Sequence, residues 1–323
     1  MSKRAARCTN NGNCEISDNR ENFNCKFCRM EKCLRAGMRI EHVQGHRDRH
    51  DNSKPARDKT VYPWCYQTLN ISPTPFPNFR LALLQTNFSQ LLKSRTKFFP
   101  KKKQNRGLHL AEALPIFQKD VVFAATWIRN TFPELKLLDD SQQNILFRNF
   151  YMKFTIFEPA FLAILLGKPK TYHLPTGDTV DEVSRYYTKH LINPPKIDLN
   201  EVSRLFNPYW SDFRATLIDP VIRANITINE FLLLCAVSLW DIGLVGQNKK
   251  CELLCDSMRQ KIYKELAELC QHSPFRMAEI MLLLPAIQRG VDVYEEELRM
   301  GGLYRFLVTE NTDDWYKMVG GPI

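Results

Sequence analysis

The chain has 323 residues, with 45 Lys and Arg against 35 Asp and Glu and a formal charge of +10 at pH 7. A hydrophobic content of 44% with only 13 glycines excludes a collagen-like, low-complexity or wholly disordered chain, and leaves room for one large core plus a small appendage. The excess charge is uneven: residues 1–60 hold fourteen Lys and Arg against eight Asp and Glu, which suits either a polyanion-facing end or a solvated basic linker.

The first stretch, residues 3–38, packs five of the ten cysteines into a tenth of the chain. Four of them read Cys8-x5-Cys14-x10-Cys25-x2-Cys28. Two close pairs separated by a gap are what a tetrahedral thiolate site needs, so these four are the candidate ligands of a structural zinc. Asn10, Asn11, Gly12 and Asn13 tolerate the turn dihedrals of a metal knuckle. After Cys25 the spacing of Phe27, Met30, Cys33 and Leu34 predicts a helix, with Lys26, Arg29, Lys32, Arg35 and Arg39 on the rest of its surface.

No apolar stretch follows the charged start MSKRAARC, so no secretory signal is expected. The longest apolar run, Phe231–Trp240, is about half what a membrane span needs. Clustered or single cysteines suit a reducing compartment. The expectation is a soluble intracellular protein with no membrane partner. Residues 51–75, polar and then proline-rich, are expected to form a hinge, and His42, His46 and His50, without a thiolate or carboxylate beside them, a charged linker.

From residue 76 the chain reads as helix after helix. A first helix follows Phe79, Leu83, Thr86-Asn87, Gln90-Leu91 and Ser94 and ends in the basic cluster 95–103. A second covers Leu110–Phe132. Asp139-Asp140-Ser141 caps a third over Gln142–Lys153. A small hairpin fits only at Gly167–Gly177. Helices are then predicted at Asp181–His190, Leu199–Ile222, Ile228–Ile242, Cys251–Cys270 and Phe275–Leu307, with Pro285 either kinking the last or marking a step. The fold class is all-α. A helical enzyme, a solenoid and a ligand-binding helical domain all fit that pattern. No repeat supports a solenoid, and no HExxH, phosphate loop or GxSxG supports an enzyme. The expectation is that the chain is not an enzyme.

Particular motifs decide between these. NGNCEI, CKFCRMEKCL and AGM, with the arm through Arg47-Asp48, resemble the second zinc module and C-terminal extension of a nuclear-receptor DNA-binding domain. The Cys14–Cys25 gap is one residue longer than the family's usual nine. Trp127-Ile128-Arg129, Phe132-x2-Leu135 and Ser141-Gln142-x2-Ile145-Leu146 are similar to the family's ligand-binding-domain signature. RNFYMKFTIFEPAF, ITINEFLLLCAVSLWD and FRMAEIMLLLPAIQRG are similar to the divergent branch expanded in nematodes.

The resemblance implies a small four-cysteine zinc module over 1–50, a hinge over 51–75, and an antiparallel helical-sandwich ligand-binding domain over 76–323. It implies a nuclear location, phosphate contacts to DNA from Lys26, Arg29, Lys32, Arg35 and Arg39, and a receptor homo- or heterodimer. It also implies a coregulator groove clamped by Arg129, and a small lipophilic ligand. Phe123, Trp127, Phe150 and Phe154 are the candidates for a pocket, with Phe157 and Phe161 beside them; aromatics at helical spacing equally suit a filled core. The segment Asp314–Val319 resembles an activation helix with Lys317 where the family places an acid. The sequence opens just ahead of the second zinc module, so the expectation is weak or non-specific DNA binding without the first. The reading is an orphan receptor-type transcription regulator; the alternative is a shortened receptor that dimerises with or titrates others.

Overall fold

The computed structural model describes Cys8, Cys14 and residues 25–35, 79–99, 108, 110–167, 172–176, 178–180, 186–187 and 199–303. Arg39, the hinge over 51–75 and the segment Asp314–Val319 lie outside the described residues. The chain divides into two compact units, Met1–Arg57 and Asp58–Ile323.

In the first unit, helix α1 spans Lys26–Arg35, where the spacing of Phe27, Met30, Cys33 and Leu34 predicts it. Phe27, placed on the inner face by its spacing, is exposed, and Cys28 is the buried residue of that turn. The side chains of Lys26, Arg29, Met30, Cys33 and Leu34 lie outside the described residues.

The second unit is all-α, as the helical periodicity implies. Helices α2 (Phe79–Phe98) and α3 (Leu110–Thr131) lead through a 3-10 turn, Pro133–Leu137, into α4 (Asp140–Leu166). An antiparallel hairpin follows, β1 (Tyr172–His173) with β2 (Thr179–Val180), a few residues beyond the expected place. Helix α5 (Leu199–Phe213) runs into a π-helical turn, Arg214–Ile218, and then α6 (Asp219–Ala224). Helices α7 (Ile228–Leu239), α8 (Lys249–Leu269), α9 (Arg276–Met281) and α10 (Leu283–Leu303) complete the described elements. Pro285 marks a step, at Leu282 between α9 and α10, rather than a kink.

Helix α4 sits at the middle, packed on α3, α7, α10 and the hairpin. Its start is set by Asp139, whose carboxylate accepts from the Gln142 amide at 3.0 Å, and its end by left-handed Gly167. At 27 residues it is long and apolar enough to cross a membrane, yet 78% of its most apolar window is buried in the protein, the mark of a core helix. Pro159 inside it removes the amide that would bond the Thr155 carbonyl. The Tyr172 hydroxyl of β1 donates to that carbonyl instead, at 2.8 Å. The hairpin is thereby fixed to the centre of the fold.

Helix α2 corrects two expectations. Leu81, Leu84, Phe88, Leu91 and Leu92 are its buried positions, whereas Thr86 and Gln90 face solvent. Arg95 does not open a solvated basic cluster; it is 1% exposed and lies between Asp120 of α3 and Glu158 of α4. The signature residue Gln142 is also structural: its amide donates to the Gly246 carbonyl at 2.9 Å, and its oxygen accepts from the Asn248 amide at 2.8 Å. Asn248 in turn caps α8.

Candidate functional site

Four thiols gather in the first unit. The Sγ atoms of Cys8, Cys14, Cys25 and Cys28 all lie within 4.8 Å of one another. Cys8 Sγ stands 3.5 Å from both Cys14 Sγ and Cys28 Sγ. A Zn–S bond of about 2.3 Å places the sulfurs of a tetrahedron about 3.8 Å apart, so the donor set and the spacing fit one zinc ion. Crowding alone opposes ionisation: hydrogen bonding to Cys8, then burial, pushes the Cys14 thiol up to about 12. A divalent cation inverts that balance and holds thiolates. Zinc bound here supplies folding free energy and no bond-breaking chemistry.

A cavity of about 450 Å³ opens in the second unit. Leu110 and Phe117 of α3, and Tyr172 and Val180 of the hairpin, form part of its wall. Tyr186, Tyr187, Trp210 and Arg214 of the π turn add to it, and α10 contributes Tyr294, Glu297 and Leu298. The π turn has a local cause. Pro220 lacks the amide that would bond the Thr216 carbonyl, and the turn before it closes through the Asp219 amide on the Arg214 carbonyl, five residues back. Widening places Phe213, Arg214 and Ile218 on the cavity. Helix α10 comes close to this turn because position 290 is glycine; a Cβ there would meet Leu217 Cδ2 at 3.0 Å and Ile156 Cδ1 at 3.1 Å.

The aromatics expected around a pocket pack in another part of the unit. None of Phe123, Trp127, Phe150 and Phe154 lines this cavity. Trp127 packs on Phe150 and Phe154 with ring centroids 5.9 and 5.3 Å apart, and Phe150 stacks on Phe154 at 5.6 Å. Those rings consume one another's faces and fill the core. Phe157 and Phe161 close in the same way on Phe231. Phe123 lies against Phe98 and Phe99 at the far end of α2.

Among the described residues Glu297 is the one carboxylate of the cavity wall. It is 6% exposed, and its Oε1 accepts from Trp210 Nε1 at 2.8 Å and from the Tyr187 hydroxyl. Burial pushes its carboxyl up to about 7, against the pull of those two hydrogen bonds. The motifs pointed past this residue. One signal was present: it interrupts the apolar face of the last helix beside Tyr294 and Leu298.

Arg129 is exposed in the last turn of α3. Val122, two helical turns earlier on the same face, is exposed at 52%. In α1, Lys32 and Arg35 are exposed, and Arg35 reaches Glu31 at 3.6 Å.

A helical unit with a cavity, on a chain that also carries a four-thiol cluster, fits the two parts of a ligand-regulated transcription factor. The family model for the ligand-binding domain of nuclear hormone receptor matches residues 98–304, and the double treble clef zinc finger of C4 type matches residues 1–40. The chain belongs to the nuclear hormone receptor family, and its cofactor is structural zinc. It is 27% identical to nuclear hormone receptor family member nhr-28 of Caenorhabditis elegans, over 98% of this chain and 76% of that one. The nhr-28 protein of Caenorhabditis briggsae is 28% identical, over 93% of this chain and 73% of its own length. Similarity to nhr-86 of Caenorhabditis elegans is 27% over 97% of this chain and 85% of the relative. Members of this family are ligand-regulated transcription factors, not enzymes, and generally nuclear; they bind DNA, dimerise and take coregulators.

Proposed function

We propose that this receptor is regulated by a small lipophilic ligand held in the 450 Å³ cavity between α3, the hairpin, the π turn and α10. The observation that carries the reading is the cavity itself. Its volume falls in the range of small-molecule sites, and its wall is mostly aromatic and aliphatic with a few polar groups to orient a guest. Helix α10 and the π turn pack on α5 and α6 around it, so occupancy bears on the packing of four elements. The ligand is left unnamed, which makes the protein an orphan receptor in this reading.

Three further assignments belong to the same proposal. Cys8, Cys14, Cys25 and Cys28 ligate the zinc, in a module over 1–50 joined by a hinge over 51–75 to the ligand-binding domain over 76–323. Lys26, Arg29, Lys32, Arg35 and Arg39 contact DNA phosphates, which orient the module and carry little sequence information. Arg129 clamps the C-terminal carbonyls of a coregulator helix whose apolar side rests near Val122.

The experiment is a thermal melt of the 323-residue chain with and without decanol, for the wild type and for Leu298→Trp, which fills the cavity. Decanol raises the melting temperature of the wild type and leaves that of Leu298→Trp unmoved. An equal rise in both places the binding elsewhere and sinks the reading.

A further inference from the structure

We propose that the ligand of this cavity carries a protonated amine, whose ammonium pairs with Glu297 while its apolar body lies along the aromatic wall. The proposal rests on the reading of the cavity as the ligand site and adds the chemical class of the guest.

The geometry is that of a prepared acceptor. Trp210 Nε1 and the Tyr187 hydroxyl both donate to Oε1, which fixes the carboxylate on the wall. Among the described residues no hydrogen bond or ion pair reaches Oε2. A carboxylate that is 6% exposed, with Oε1 held by two donors, is a ready acceptor for a donor brought into the cavity.

No cation of the protein fills that role among the described residues. The guanidinium of Arg214, on the π turn, lies 3.6 Å from Asp219 with 43% of its side chain in solvent. Arg95 of α2 is committed to Asp120 and to Glu158, the nearest acid on α4. The hydroxyls around Glu297 come from Tyr172 of β1, Tyr186, Tyr187 and its own helix-mate Tyr294. Burial pushes each of these phenols upward, so all four stay neutral. Among the described wall residues the site thus presents one acid, a set of neutral phenols, and an Arg214 guanidinium directed to Asp219.

The chemistry of the guest follows from that imbalance. With its carboxyl near about 7, Glu297 is roughly half ionised at neutral pH. A neutral lipophile leaves it protonated. A carboxylic acid would set a second acid beside it. An ammonium draws the proton off and gains a charge-assisted hydrogen bond in surroundings where such bonds are strong. The sign is definite: amine binding needs the ionised carboxylate, so affinity falls as pH drops below the carboxyl's own value.

The test is calorimetric titration of the full 323-residue chain with decylamine, decanol and decanoate, each below its micellar concentration. At about pH 8 decylamine binds at least about tenfold more tightly than decanol, and at about pH 6 it loses about tenfold while decanol is unchanged. Glu297→Gln equalises decylamine and decanol and keeps decanol binding. Tyr187→Phe keeps the amine preference and moves its pH midpoint upward, because one hydrogen bond to the ionised form is gone. Equal binding of decanol and decylamine by the wild type overturns the ligand class. So does tightest binding of decanoate with loss in Arg214→Ala; both outcomes leave the cavity reading standing. Failure of all three probes to bind rejects the cavity reading itself.

Discussion

Arg95→Met tests how the core of the second unit is held. The guanidinium is 1% exposed; Nε and Nη2 donate to the two Asp120 oxygens at 2.6 and 2.8 Å, and Nη1 donates to Glu158 at 2.7 Å. Methionine keeps much of the aliphatic volume and removes the charge, its donors and the guanidinium's place over the Phe154 ring, 5.6 Å from the centroid. Two carboxylates are then left buried together. Breaking a buried ion pair from one side costs about 3–5 kcal/mol, and at about 2–4 °C per kcal/mol for a domain of this size the melting temperature should fall by roughly 6–20 °C. Burial already pushes the Asp120 carboxyl up, against the opposing pull of Arg95. A carboxyl raised in the folded state contributes stability that is full below its unfolded value and lost as pH rises through the folded one. Without Arg95 the folded value climbs further, so the deficit against wild type should be smallest near about pH 4.5 and grow toward about pH 8. Adding Asp120→Leu and Glu158→Leu to Arg95→Met should recover most of the loss, because unpaired charge rather than missing attraction sets it. Scanning calorimetry at the two pH values reads all of this. A deficit under about 1 kcal/mol that ignores pH would refute a desolvated triad.

Other predictions follow from the same packing and site geometry. Cys25→Ser should abolish zinc binding by the full chain, measured by metal analysis after dialysis, whereas Cys33→Ser should leave one zinc per chain. Arg129→Ala should weaken binding of a coregulator peptide yet move the melting temperature little, since an exposed cation contributes about 0–1 kcal/mol to folding; a large loss of stability would show Arg129 to be a core partner. Gly290→Ala gains about 1 kcal/mol of helix propensity but forces Leu217 and Ile156 aside. Denaturant titration should give a net loss of about 1–2 kcal/mol, with weaker binding of any cavity ligand.

What the sequence disclosed depended on whether an element carried a polar side. Helices α3 and α8 have one, and their expected spans, Leu110–Phe132 and Cys251–Cys270, agree with the structure to within two residues at each end. Helix α4 announced its start through Asp139 but not its end: the expected span closes at Lys153, whereas the helix is buried on all sides beyond Phe150, so no periodicity remained to carry it on through Pro159. The Tyr172 bond that excuses the proline comes from a residue beyond the helix. Pro220 likewise gave no warning of a π turn in what the pattern predicts as one helix over Leu199–Ile222. The zinc cluster was fully legible, because cysteine spacing is itself the geometry of the site. The cavity was not. Its walls come from segments far apart in the chain, and the aromatics at helical spacing, Trp127, Phe150 and Phe154, were spent on each other. Arg95 misled for a related reason: a buried arginine beside exposed lysines looks like one more charge in a basic run.

The central claim is that a lipophile occupies the cavity at the π turn, not the aromatic core of α3 and α4. The most direct measurement is photolabelling of the full chain with a diazirine-bearing decylamine, followed by peptide mapping. The account predicts adducts on Tyr172, Tyr187, Trp210 and Tyr294, all cavity-wall residues, with labelling suppressed by excess decylamine. Adducts concentrated on Trp127, Phe150 or Phe154, or scattered over the surface and insensitive to competitor, would contradict it.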